Sequence, residues 1–195
     1  MPLWKKLFGM AVASLRDIGF GLLAANFLAA HFGEPVTTMV WYGLGVLFAI
    51  LPDTDIIVQK IAGAPVDSLH RQSVMHTPII MIGGALALYL LSPSFSVLAA
   101  VCLFLHFVDD TIGDENAGTG VAWLYPFNTR ILVIFCKEDG QRNLVRWEGS
   151  WHLTPVPLEV WLERFWLRPT KEATINIAVF AIAIAVVLLQ GGGLW

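Results

Sequence analysis

The sequence predicts an all-α, polytopic membrane protein. It reads as one domain over residues 1–195, with about five transmembrane helices and a cytoplasmic interfacial cap over residues 110–173. Three observations predict this. The composition is 56% hydrophobic and only 14% charged, with a mean hydropathy of +0.68, whereas an ordinary soluble domain carries about 25% charged residues. Five apolar runs are separated by turns and polar stretches. Alternating the direction of those runs puts all twelve Lys and Arg residues on one side, which the positive-inside rule makes cytoplasmic.

The elements follow in order. Met1 to Leu15 sets Trp4, Leu7, Phe8 and Val12 against Lys5 and Lys6, the pattern of a helix lying at the membrane surface. Ile18 to Phe32 is the first apolar run, broken by Asn26. Asp17 stands at its start, where it can serve as a helix N-cap. After the turn His31–Pro35 comes the second run, Val36 to Leu51, which ends in Pro52-Asp53-Thr54-Asp55 and resumes at Ile56. Gly63 to Ser73 is a polar connector. The third run is Val74 to Leu91, with Pro78 in its first turn and Ser73 or Thr77 as cap. Ser92-Pro93 turns into the fourth run, Phe95 to Val108. Ile175 to Leu189 is the fifth and the most apolar. Most runs fall short of the ~20 residues that span a bilayer, so the polar motifs read as helix extensions at the membrane rim. The cap holds a Gly-rich stretch, Gly113 to Gly120, a charged stretch from Arg130 to Glu148, and the Trp-rich amphipathic segment Leu158 to Leu167.

Cys102 and Cys136 form no disulfide framework and read as reduced thiols. No cleavable signal peptide is expected, because Arg16 and Asp17 interrupt the first apolar stretch. The net charge of −3 gives no sign of a nucleic-acid partner, and membrane lipids are the expected partners.

The ionisable groups of the spans collect at one rim. Asp17 begins span one, Asp53 and Asp55 end span two, His70 and His76 precede or begin span three, and His106 and Asp110 end span four. Charged and titratable groups at membrane depth are costly and point to function. His106 and Asp110, at i and i+4, share a helix face, and an imidazole with a carboxylate can hold a divalent cation. Asp53 and Asp55 flank Thr54 in a D-x-D turn whose hard oxygens suit a cation. The metal-ligand set is therefore Asp17, Asp53, Asp55, His70, His76, His106 and Asp110, with zinc the first choice for this His/Asp mixture. A divalent ion activates water and polarises a phosphoryl or carbonyl oxygen. Asp53 or Asp110 would act as base, and Arg71 would orient an anionic group with its planar fork. His152 is an additional candidate. Asp109, Asp114 and Glu115 would stand behind the ligands, and His31 lies on the opposite face. No phosphate-binding Gly-rich loop, G-x-S-x-G elbow or Cys-His pair is present.

These motifs resemble the membrane-bound metal-dependent hydrolase family, the YdjM-like group that includes the LexA-binding inner-membrane hydrolase. The shared order is Leu51-Pro52-Asp53-Thr54-Asp55, His70-Arg71 through His76-Thr77, then His106 through Asp110-Thr111, with Gly120 and Tyr125-Pro126-Phe127 behind. Three places depart from the family's pattern, one of them a loop after Thr111 that is longer than the family's. Met75-His76-Thr77 replaces a T-H-S element, and Arg16-Asp17 stands where the family has T-H, so Asp17 would take the place of a histidine ligand. The family is similar to the zinc-dependent phospholipase C superfamily. The resemblance implies hydrolysis of a phosphoester or lipid-type substrate by metal-activated water, in the cytoplasmic membrane of a bacterium or archaeon, with the N-terminus inside and the C-terminus outside. Two other readings compete: a metal transporter or sensor, which needs polar groups along a path across the membrane, and a non-catalytic membrane scaffold.

Overall fold

The computed structural model describes residues 1–32, 39–61, 73–112, 120–138, 141–148 and 157–191. The chain is mostly helical. Its helices are α1 (Leu3–Phe32), α2 (Met39–Ile50), α3 (Asp55–Ile61), α4 (Pro78–Ala87), α5 (Pro93–Thr111), α6 (Leu158–Phe165) and α7 (Lys171–Gly191). Among the described residues three helices are long and apolar enough to cross a membrane: Leu3–Phe32, Pro93–Thr111 and Lys171–Gln190. α2 and α4 are apolar but shorter.

α1 is a single 30-residue helix, about 45 Å long. The expected break between a surface helix and a first span is absent. Asp17 lies mid-helix, so it is not an N-cap, and its place needs another explanation. The other breaks follow from proline chemistry. Pro52 has no N–H to continue the ladder of α2 and its ring crowds the preceding turn, so the chain tightens into a 3-10 turn over Pro52–Thr54 before α3. Thr77 is extended, at φ −108° and ψ 100°, as the residue before a proline must be. It separates the 3-10 turn Val74–His76 from α4. Neither Ser73 nor Thr77 caps with its side chain; the Thr77 hydroxyl donates back to the Val74 carbonyl at 2.7 Å instead. Ser92 does cap α5, accepting the Phe95 N–H at 3.4 Å. Thr170 caps α7, accepting the Ala173 N–H at 3.1 Å.

Lipid is as apolar as leucine, so helices in a membrane associate through close packing and buried polar contacts rather than hydrophobic burial. α1 and α2 cross antiparallel at Gly21 and Gly45, where a Cβ on either glycine would lie 2.5 Å from the other's carbonyl oxygen. Beside the crossing, the Trp41 indole N–H donates to the Ala25 carbonyl at 2.6 Å. Buried Ala24, Ala25, Leu28, Ala49, Leu98 and Cys102 pack α1, α2 and α5 together. α7 runs parallel to α1. Near its start the Asn176 amide donates to the carbonyls of Val12 at 3.0 Å and Ala13 at 2.7 Å. Near its end Gln190 accepts from Asn26, which in turn accepts the Tyr42 hydroxyl at 2.9 Å. α5 sits in the middle and α7 at the edge, with Ile177, Ile182, Leu188 and Leu189 exposed along it.

The all-α expectation needs one correction. Two strands, β1 (Ile131–Glu138) and β2 (Gln141–Glu148), pair antiparallel from Ile131↔Glu148 to Glu138↔Gln141. The pair is fastened to the end of α5. Val121 exchanges two backbone hydrogen bonds with Leu132, at 3.1 and 2.9 Å, and the Gly120 N–H donates to the Asp110 carbonyl at 2.7 Å. Gly120 takes φ +117°, and a Cβ there would meet Ile131 and Val133 within 2.7 Å, so only glycine fits. Trp123 closes the joint: its indole N–H donates to Thr111 Oγ1 at 2.7 Å, and its ring packs edge-on against Phe104 and Phe107.

Candidate functional site

Five elements deliver six side chains to one place. α1 brings Asp17. The 3-10 turn after α2 brings Asp53, and the first residue of α3 is Asp55. The bend before α4 brings His76, and the last turns of α5 bring His106 and Asp110. All but Asp53 are at most 6% exposed.

The two imidazoles form the frame, with centroids 5.5 Å apart. Each meets one carboxylate at Nδ1. Asp55 Oδ2 is 3.1 Å from His76 Nδ1 and also accepts the Ser73 hydroxyl at 2.5 Å. Asp17 Oδ1 is 3.1 Å from His106 Nδ1. The Nε2 atoms turn to the other two carboxylates. His76 Nε2 is 3.5 Å from both Asp53 Oδ1 and Asp110 Oδ2, and His106 Nε2 is 3.3 Å from Asp110 Oδ2 and 3.9 Å from Asp53 Oδ1. The ligand atoms of Asp53, His76 and His106 lie within 4.8 Å of one another, a grouping that could hold a metal ion.

The donor set fits a cation. Four carboxylates face two imidazoles, so the cluster carries a formal charge of −4, or −2 with both rings protonated, and such a charge is costly away from water unless compensated. Buried Asp17 Oδ1, Asp55 Oδ1 and both ring nitrogens of His106 make no hydrogen bond of good geometry among the described residues.

The centre opens on a cavity of about 260 Å³. Arg16, Asp17, Asp53, Asp109 and Asp110 form its polar end, and Met10, Ile56, Ile57, Leu158, Trp161 and Trp166 its apolar wall. α6 roofs it. Leu162 of α6 is fully buried against Val12, Phe165, Trp166 and Ala173, and Lys6 of α1 pairs with Glu159. The Lys6 ammonium, and after it the Met1 amino group, hold the exposed Glu159 carboxyl below its usual range.

Of the sequence-predicted residues, Asp17, Asp53, Asp55, His76, His106 and Asp110 converge. Asp17 and Asp55 sit at the outer nitrogens of the imidazoles, not where the Nε2 atoms point. His70, Arg71, Asp114, Glu115 and His152 lie outside the described residues. His31 is exposed in the last turn of α1, fourteen residues past Asp17 and about 21 Å along the helix. Asp109 is at the cavity, bound to Arg16 at 2.6 Å. Sequence reasoning missed Arg16 as a site residue. The signal was its adjacency to Asp17, paired with the adjacency of Asp109 to Asp110.

The family model described as YdjM inner membrane protein matches residues 13–193, from within α1 through the end of α7. The chain belongs to the YdjM inner membrane protein family. No curated protein and no solved structure matches it. Family membership and the three long apolar helices together make it a membrane protein. Every one of the six converging residues lies inside the part matched to YdjM.

Proposed function

We propose that the chain is a multi-pass membrane hydrolase that uses a divalent metal, zinc first, against a phosphoester or lipid-type substrate. One observation carries the reading: each of two buried imidazoles has a carboxylate at Nδ1 and turns Nε2 toward Asp53 and Asp110. Asp55 is hydrogen-bonded at Nδ1 of His76, and Asp17 places its charge 3.1 Å from Nδ1 of His106; carboxylates at the outer nitrogens orient the rings and raise the basicity of the inner ones, the arrangement that supports metal-ligating histidines. On this reading His76, His106, Asp53 and Asp110 hold the ion, and Asp17 and Asp55 aim the histidines instead of ligating. That revises the sequence-based assignment of both. A divalent ion in this position supplies Lewis acidity toward a phosphoryl oxygen and lowers the pKa of water. Asp53, the more exposed of the two inner carboxylates, would hold the ion through one oxygen and take the proton from attacking water with the other.

The spans support the same picture. α1, α2, α4, α5 and α7 are read as five crossings, with α2 and α4 extended by the 3-10 turns that carry site residues. The cytoplasmic face is then the one that bears the centre and the cap, in a bacterial or archaeal cytoplasmic membrane, because Lys and Arg gather there. A transport path is disfavoured: between Asp17 and Asn26 the buried residues of α1 are Gly19, Gly21, Ala24 and Ala25, which offer no polar step.

The test is metal content of the purified protein with hydrolysis of phosphodiester and lipid substrates. His106→Ala is expected to lose metal and hydrolysis together. Hydrolysis that survives complete loss of the ion would overturn the reading.

A further inference from the structure

The cavity has a cation that the hydrolytic centre does not use. Arg16 Nη2 is 2.6 Å from Asp109 Oδ2, and both residues line the cavity beside Asp17, Asp53 and Asp110. Arg16 spends one edge of its fork on Asp109, while its buried Nε–H finds no acceptor among the described residues. A second buried donor on the cavity lining, the Trp166 indole N–H, finds none either. Unmatched buried donors cost free energy unless an acceptor arrives, and a guanidinium is the group best shaped to grip a phosphoryl by two parallel hydrogen bonds. Opposite this polar end, the wall of Ile56, Ile57, Leu158 and Trp161 is apolar, which suits a hydrocarbon chain and not a free ion.

We propose that Arg16 is the headgroup clamp of this site: it leaves Asp109 to grip the anionic phosphoryl of a lipid-like amphiphile whose chain lies along Ile56, Ile57, Leu158 and Trp161. The proposal rests on the reading of the neighbouring centre as a metal-dependent hydrolase. Asp109 is then a resting partner that keeps the guanidinium oriented and neutralised when the cavity is without ligand. It also competes with the ligand, and this sets the sign of the test.

The probe is dodecylphosphonate, which has the head and the tail but no ester to cleave. Its binding is measured by calorimetry on full-length, metal-loaded protein in nanodiscs, with methylphosphonate and dodecanol as single-feature controls. Arg16→Gln is expected to weaken dodecylphosphonate about tenfold or more with metal content unchanged, and Arg16→Lys to weaken it less. Asp109→Asn is expected to tighten it, because the competing carboxylate is gone; a merely structural bridge predicts no gain. The clamp is overturned by full affinity in Arg16→Gln, or by unchanged or weaker binding in Asp109→Asn, a readout that survives even if Arg16→Gln fails to fold. Methylphosphonate binding as tightly as dodecylphosphonate would overturn the lipid chain in favour of free phosphate. Arg16-dependent binding in a protein that takes up no metal would sink the hydrolase reading and leave the clamp. A metal-loaded protein that binds the phosphonate no better than dodecanol would sink the clamp alone.

Discussion

Asp17→Asn separates a metal ligand from a residue that aims one. Asp17 is mid-helix, so the change removes no cap, and Asn differs little from Asp in helix propensity. The fold should therefore lose less than about 1 kcal/mol. The effect on the centre is specific. Asp17 Oδ1 stands 3.1 Å from His106 Nδ1, and both side chains are almost wholly buried. Asn keeps an oxygen that can accept from Nδ1–H but removes the charge that strengthens Nε2 as a donor to metal. Loss of such a partner costs metal affinity about 10–100-fold, or roughly 1.4–2.7 kcal/mol, with stoichiometry intact. Asp17→His should do no better than Asp17→Ala, since an imidazole at this place points at another imidazole and not at the ion. The assay is competition for zinc against a chromophoric chelator, with a thermal melt alongside. Affinity unchanged in Asp17→Asn would refute the role. Stoichiometry as low as in His106→Ala would restore Asp17 as a ligand.

Three further outcomes are expected. Gly45→Ala places a Cβ 2.5 Å from the Gly21 carbonyl and 2.9 Å from Ala25 Cβ, and should lower stability by about 1–3 kcal/mol, read as a shift in thermal denaturation; an unshifted melt would mean that the crossing can open freely. Zinc binding should release protons and weaken as pH falls, by roughly tenfold per pH unit for each proton displaced, and calorimetry in two buffers of different ionisation enthalpy counts them; a flat profile would remove the histidines from the ligand set. A reporter fused after Trp195 should be active outside the cell and one inserted at Gln141 inside, and the reverse pattern would invert the orientation while leaving the centre as it is.

Much of the centre was legible because its spacing is local. His106 and Asp110 share a face by helix periodicity alone, and Pro52 and Pro78 mark where the chain must bend near Asp53 and His76. Asp17 was misread because nothing within a few residues tells a helix start from a helix middle. Its meaning depends on α1 running unbroken past α5, which is a tertiary fact. Arg16 was counted as a topology charge for the same reason: one residue along a helix turns the side chain by about 100°, so Arg16 and Asp17 meet different neighbours. The hairpin, by contrast, was written in the sequence. Ile131 to Phe135 is a run of β-branched and large apolar residues, and Asp139-Gly140 between two strand-like stretches is a strong hairpin signal. The charges from Lys137 to Glu148 mask it by breaking the alternation of apolar and polar residues.

The Gly21–Gly45 contact bears on which ions the centre can admit. Gly21 lies one helical turn from Asp17, and Gly45 lies two turns before Asp53, so the contact sets the separation of the two walls that carry them. Side chains at a crossing can change rotamer and let helices part; two backbones in contact have nothing to compress. Asp17 backs His106 at 3.1 Å from the α1 wall and Asp53 faces it from the α2 side, so the spacing of those two walls is a gauge on how far His106 and Asp53 can part around an ion. Ions with bond lengths of about 2.0–2.2 Å to nitrogen and oxygen suit such a gauge. Calcium, which asks for six to eight oxygens at about 2.3–2.6 Å, would have to push the crossing apart. Ion discrimination by size would then originate in two glycines that never touch the metal.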